Sequence, residues 1–248
     1  MAYSYRGRAT GFSYSGSIPP GVKWLLISNV AIFVLYFLTA RAGEGFFFLF
    51  GLIPSAVMHL ALWQLVTYLF LHSPYEFSHI LFNMLSLWMF GSDLERTWGT
   101  RRFLQFYFFC GIAAGLCVVA ANYLSGTPDT RTIGASGAIY GVMMAFAMLF
   151  PDTTIIFILF PIRAKYFVMI LGAMAFLSSL RASGGTVSHI AHLGGLVFGY
   201  AYLRWGRRGK FDLFGPLEAR YQQWRIERAK RKFQVYLKKR DSNDRYIN

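Results

Sequence analysis

Acidic residues are few in this sequence: 11 Asp and Glu stand against 25 Lys and Arg in 248 residues. Charge of either sign is thin, at 15%, where soluble domains carry about a quarter. With 55% of its residues hydrophobic, the bulk of the chain prefers lipid to water. Cysteine is scarce too. Cys110 and Cys117 stand seven apart in an apolar run, on one helix face, where no disulfide between them can close. They are expected to be reduced packing residues. The first twenty residues are rich in Tyr, Gly, Ser and Arg and lack the apolar core of a signal peptide. Residues 1–21 are therefore expected to form a cytoplasmic tail.

What the chain does have is six apolar stretches, at 22–40, 77–92, 103–124, 133–150, 164–180 and 187–203. Several fall short of the ~20 residues that cross a bilayer. Short segments with polar residues inside pack within a bundle rather than against lipid. The basic residues test the topology. With the amino terminus in the cytoplasm, the inner segments hold 22 of the 25 Lys and Arg, 14 of them from Arg204 onward, and the outer loops hold Arg41, Arg131 and Arg181. The positive-inside rule then supports six spans with both termini inside. The net charge of +14, which in a soluble protein would point to nucleic acid, is accounted for by membrane sidedness, and no nucleic-acid partner is expected.

The expected architecture is an all-α bundle of six transmembrane helices over residues 22–205, followed by a basic cytoplasmic tail, 206–248. Residues 41–76 form a long outer connection, rich in aromatics such as Phe46, Phe47, Phe48, Phe50, Trp63 and Tyr68, and are expected to lie in the membrane interface. Thr153 to Phe160 is β-branched and aromatic and ends at Pro161, as an interfacial connector would. The tail has rough helical periodicity and fits an amphipathic helix held by anionic lipid of the inner leaflet.

Polar groups inside lipid are costly and invite a functional explanation. The second span holds SHILFN, with His79 and Asn83 on one helix face. The fourth opens with GASGAIYG, which contains Ser136. The sixth contains SHIAHLGG, which contains His192. All three spans run from outside to inside, and all three polar sets lie roughly 5–15 Å below the outer surface at 1.5 Å per residue. Each has a plainer explanation alone. Gly134, Gly137 and Gly141 let helices approach closely, Asn83 can glue two helices, and Tyr140 can be core packing. Convergence at one depth favours a site.

Gly195 and Gly199 share a helix face with His192. If that face meets the Gly134–Gly141 face, Ser136 and His192 come within hydrogen-bond reach, as activation of a nucleophile requires. No acid is positioned within a span near His192, so the pair is expected to act as a dyad, with Tyr140, one turn beyond Ser136, stacked on the imidazole. The Ser136 amide at its helix start, the Asn83 amide and the His79 ring are the expected donors to an oxyanion.

The set HxxxN, GxSGxxYG and AHxxG, in this order and on these spans, resembles the rhomboid intramembrane proteases. Trp63–Thr67 (WQLVT), His72 and Gly91–Phe103 (GSDLERTWGTRRF) extend the likeness, which covers about residues 22–205. The resemblance implies that Ser136 is the nucleophile and His192 the general base. His79, Asn83 and the Ser136 amide form the oxyanion hole, Gly134 shapes the site, and Tyr140 supports His192. It also implies cleavage of transmembrane proteins near the outer end of their helices, without metal or other cofactor, in a multi-pass protein of a bacterial inner membrane. There are departures. Gln64 stands where the family has arginine, which removes a charge and a guanidinium fork. The His72–His79 spacing is long, so the second span is expected to start with a bulge. A non-proteolytic rhomboid-like client-binding protein is the alternative, against which the presence of both Ser136 and His192 stands. A transporter site belongs at the midplane, a metalloprotease needs a motif such as HExxH, and an aspartyl protease needs two intramembrane acids; none of these fits.

Overall fold

A computed structural model describes residues 17–39, 44–157, 160–180, 189–206 and Arg228. The expected amino-terminal tail to residue 16 and the basic tail after Gly206, apart from Arg228, lie outside the described residues, as do Arg41 and Arg181. The chain divides into two compact units, Met1–Leu203 and Arg204–Asn248, and the site belongs to the first.

Helix α1 (Pro20–Leu38) starts on a proline, whose fixed φ suits a first helical turn. The outer connection folds into α2 (Glu44–Phe50), α3 (Pro54–Met58), α4 (Gln64–Thr67) and a 3-10 turn at Tyr68–Phe70. A second rod runs through α5 (Phe77–Ser86), a π-helical stretch at Leu87–Gly91 and α6 (Ser92–Trp98). The expected irregularity is thus in the middle of this rod and not at its start. Ile80, Met84, Leu87, Phe90, Gly91 and Leu94 keep one face buried through the change of pitch. Gly99, with φ 79°, breaks the rod, and α7 (Thr100–Leu124) follows at once. Then come α8 (Ser136–Leu149), α9 (Ala164–Leu180) and α10 (His189–Gly206). By length and composition α1 and α7 can each cross a membrane.

The expectation of a purely helical chain needs one correction. Between α8 and α9 the chain forms an antiparallel hairpin, β1 (Thr154–Phe157) against β2 (Phe160–Arg163), with Ile155 opposite Ile162 and Ile156 opposite Pro161. The β-branched run favours strand, and a two-stranded pair leaves an outer edge where proline's missing N–H is tolerated. Asp152 ties the base of the hairpin to Lys165 at 2.9 Å and to Arg163 at 3.5 Å. The hydrogen bond from Lys165, then the charges of Lys165 and Arg163, hold this carboxyl below its usual range. The tie is therefore complete at neutral pH and is lost as pH falls through that lowered value.

The surface is far more apolar than that of a soluble protein, while several polar residues join an apolar core. Trp24, Phe37, Leu38, Phe82, Met169 and Leu177 are exposed, Trp24 to 68%. Asn29, Gln64, His72, Asn83, Glu95, Thr132 and His192 are buried. Cys110 and Cys117 are free thiols. Glu95, 2% exposed, accepts hydrogen bonds from the Gly21 and Val22 amides at 2.8 and 2.7 Å and from the Thr100 hydroxyl at 2.6 Å. The carboxylate caps the α1 start, where the helix dipole favours negative charge. Glu95→Ala is expected to lower stability by about 3 kcal/mol, because it orphans two buried N–H groups. Thermal unfolding in detergent checks this; a melting temperature unchanged from wild type would refute the cap.

Candidate active site

Gly134 precedes α8 with φ 119°, a conformation that glycine adopts freely. Its N–H donates to the Tyr68 carbonyl at 2.9 Å. A Cβ on Gly134 would lie 2.9 Å from His79 Nε2, so the imidazole uses the space that any side chain would need. Ser136 opens α8 two residues on. Its amide belongs to the first turn, whose N–H groups have no partner within the helix.

His192 lies on the first turn of α10 and is 8% exposed. Its Nε2 stands 2.9 Å from Ser136 Oγ. For the hydroxyl to donate, Nε2 must be the unprotonated nitrogen and Nδ1 must carry the proton. Tyr140 stacks on the imidazole with ring centroids 4.2 Å apart and planes 3° from parallel. His189 stands edge-on to the same ring at 6.1 Å.

Glycine brings the two helices together. A Cβ at Gly195 would fall 1.9 Å from the Gly137 carbonyl oxygen, and one at Gly199 would fall 2.9 Å from Gly141 Cα. The main chains of α8 and α10 are in contact, without side chains between them. Gly137 and Gly141 also receive α7, where Ala114 and Cys110 press on them. The glycine face expected from Gly134 to Gly141 thus divides: Gly137 and Gly141 meet Gly195 and Gly199, while Gly134 meets His79.

Ser136, His192, Tyr140, Gly134 and His79 therefore converge. Asn83 is one turn past His79 on α5, buried, and its Nδ2 donates to the His79 carbonyl at 2.7 Å. The expectation of a free amide is modified: one of its two hydrogens is engaged within its own helix. His79 Nε2 is buried without a hydrogen-bond partner among the described residues. Among those residues no acidic side chain pairs with His192. Nor do three of His, Cys, Asp and Glu cluster as a metal would require. Two further residues make contacts that the sequence did not assign. His72 packs edge-on to His79 at 5.1 Å. Tyr68 holds Gly134 through its carbonyl while its hydroxyl donates to the Gly111 carbonyl at 2.7 Å. A main-chain acceptor leaves no signal in a sequence.

The family model for the Rhomboid domain matches residues 59–208, a stretch that contains every one of these side chains. Rhomboid protein 1, mitochondrial, of Saccharomyces cerevisiae is 33% identical over 129 residues, which are 51% of this chain and 37% of that protein. Rhomboid protease GluP of Bacillus subtilis is 33% identical over 141 residues, 56% of this chain and 25% of that protein. Rhomboid protease GlpG of Haemophilus influenzae is 32% identical over 130 residues, 52% of this chain and 60% of that protein. The chain thus spans less than two thirds of the length of each of these relatives. With a domain match over most of the bundle and an extensively apolar surface, the chain belongs to the rhomboid family of integral membrane proteins.

Proposed function

We propose that this protein is an intramembrane serine endopeptidase that cuts membrane-protein substrates in or near the outer end of a transmembrane segment. The 2.9 Å approach of Ser136 Oγ to His192 Nε2 carries the reading. In it, His192 takes the hydroxyl proton as Ser136 attacks the scissile carbonyl, then gives that proton to the leaving amine. Tyr140, parallel to the ring, holds its plane in the absence of a carboxylate partner. Water entering from the outer side then hydrolyses the acyl-enzyme by the same steps, with His192 again as base.

The oxyanion that forms in each half-reaction is assigned to the Ser136 amide, His79 Nε2 and the second hydrogen of the Asn83 amide. Asn83→Ala is expected to lower kcat about 10- to 1000-fold with little change in KM, because such a donor acts in the transition state. Steady-state kinetics on a reconstituted substrate checks this; a rise in KM alone would remove Asn83 from the oxyanion hole.

The reading also assigns six spans, with the termini and the hairpin β1–β2 on the cytoplasmic side, as the Lys and Arg distribution favours. The outer connection lies in the opposite interface, and the basic tail meets anionic lipid of the inner leaflet. The test of the activity pairs two measurements on protein in liposomes. A fluorophosphonate probe is expected to attach to Ser136 by mass mapping, and a panel of tagged single-span proteins is expected to yield products cut near the outer end of the helix. Labelling at another residue with loss of activity, or cleavage confined to soluble loops, would sink the proposal.

A further inference from the structure

Gln64 is 2% exposed and touches none of the reacting groups, yet it sits at the start of a chain of main-chain contacts that ends at Ser136. Its Oε1 accepts from the Ile53 amide at 2.9 Å, and its Nε2 donates to the Phe48 and Leu49 carbonyls, each at 3.3 Å. One side chain thereby gathers both ends of the segment from Phe48 to Ile53 onto α4. The neighbours of Gln64 add to the grip: the Trp63 indole donates to the Leu49 carbonyl at 2.9 Å and the Thr67 hydroxyl to the Phe50 carbonyl at 2.7 Å.

The gathered segment presents Leu52, next to Ile53, as a short bridge to Thr132. The Leu52 amide donates to the Thr132 carbonyl at 3.0 Å and the Thr132 amide to the Leu52 carbonyl at 2.8 Å. Thr132 is four residues before Ser136. Two residues after Thr132, the Gly134 amide is held by the Tyr68 carbonyl, and Tyr68 directly follows α4. The segment that leads into the nucleophile is thus pinned at two points, and both pins are mounted on the α4–Tyr68 corner that Gln64 organises. Leu52, Ile53, Thr132 and Ala135 are all buried, so competing water does not loosen the bridge.

We propose that Gln64 is a positioning residue for the nucleophile: through the Ile53 amide and the Leu52–Thr132 bridge it fixes the approach to Gly134, and with it the direction of the Ser136 hydroxyl and amide. A neutral amide suits this task. It offers one acceptor and two donors, which matches one N–H and two carbonyls without burying a charge. The inference rests on Ser136 being the nucleophile.

Two variants test it. Gln64→Leu keeps the volume and removes all three hydrogen bonds. Its fluorophosphonate labelling rate at Ser136 and its kcat are expected to fall in parallel by about 10- to 100-fold, with KM within about twofold, since misplacement of a reacting group by about 1 Å costs this much. The readings are taken below the variant's own melting temperature, so lost stability does not mimic the effect. Gln64→Glu covers the case in which the leucine variant does not fold. Protonated, its carboxyl again offers an acceptor and a donor. The ratio of its labelling rate to that of wild type is therefore expected to rise as pH falls from 8 to 5.5. A folded Gln64→Leu enzyme that labels and turns over like wild type, or a Gln64→Glu ratio that stays at one throughout, overturns the inference while leaving the dyad standing. Absence of labelling at Ser136 in the wild-type protein sinks the dyad itself.

Discussion

Ser136→Ala is expected to lower turnover of a transmembrane substrate by about 10⁴-fold or more, the scale on which removing a serine nucleophile acts in soluble proteases. The substitution removes one oxygen. It takes from His192 Nε2 the hydroxyl 2.9 Å away and leaves the imidazole stacked on Tyr140. The seam between α8 and α10 is untouched, because it is built from glycine main chain. Loss of one partly buried hydrogen bond costs about 1 kcal/mol, so the variant stays folded and its melting temperature stays close to wild type. His192→Ala is expected to show a loss of similar size. Because the two side chains act as one unit, the double variant is expected to be no slower than either single one. Product formation by quantitative mass spectrometry, alongside thermal unfolding, decides the matter. Near-normal cleavage by either single variant removes the dyad.

The second large effect involves no polar group. Gly195→Ala introduces a methyl group whose carbon would lie 1.9 Å from the Gly137 carbonyl oxygen and 3.3 Å from the Gly141 amide. Both are main-chain atoms, so no rotamer change relieves the clash. The helices must part, and overpacking of this kind costs about 1–3 kcal/mol or more. Gly137 adjoins Ser136, and Gly195 is one turn from His192. Parting therefore stretches the dyad, and kcat is expected to fall at least about 100-fold, even at temperatures where the variant remains folded. Gly45→Ala is the control, because a Cβ there meets nothing within 4 Å. Wild-type activity in Gly195→Ala would mean that the seam does not set the Ser136–His192 distance.

The parts of the site that lie on helices were legible because helices repeat. Ser136, Tyr140 and the Gly137–Gly141 pair share a face by spacing alone, and so do His192, Gly195 and Gly199. The position of His79 level with them followed from the depth at which each helix begins. Contacts between irregular segments were not legible. Glu95 caps a helix whose first residues are 74 and 73 positions away, and nothing local to Glu95 announces it. Gln64 attracted notice as a departure, but its partners are carbonyls and an amide, which every residue carries. The hairpin was hidden for another reason. Thr153 to Pro161 is a short apolar run, and such a run fits a buried strand, a helix turn or an interfacial connector equally well. The π-helical stretch at Leu87–Gly91 displaced an irregularity that the His72–His79 spacing had assigned to the start of its helix. That start proved regular, from Phe77 onward.

The contact between Gly137 and Gly195 has no rotamers to explore. Its spacing depends on two main chains, and no thermal repacking of side chains alters it. Residues on the far side of the same helix, such as Val197 and Tyr200, are exposed and take no part in it. On the proposed reading, those outer residues can be exchanged to suit a thinner, thicker or more fluid bilayer without retuning the Ser136–His192 pair. Adaptation to the lipid and upkeep of the chemistry are written on opposite faces of one helix.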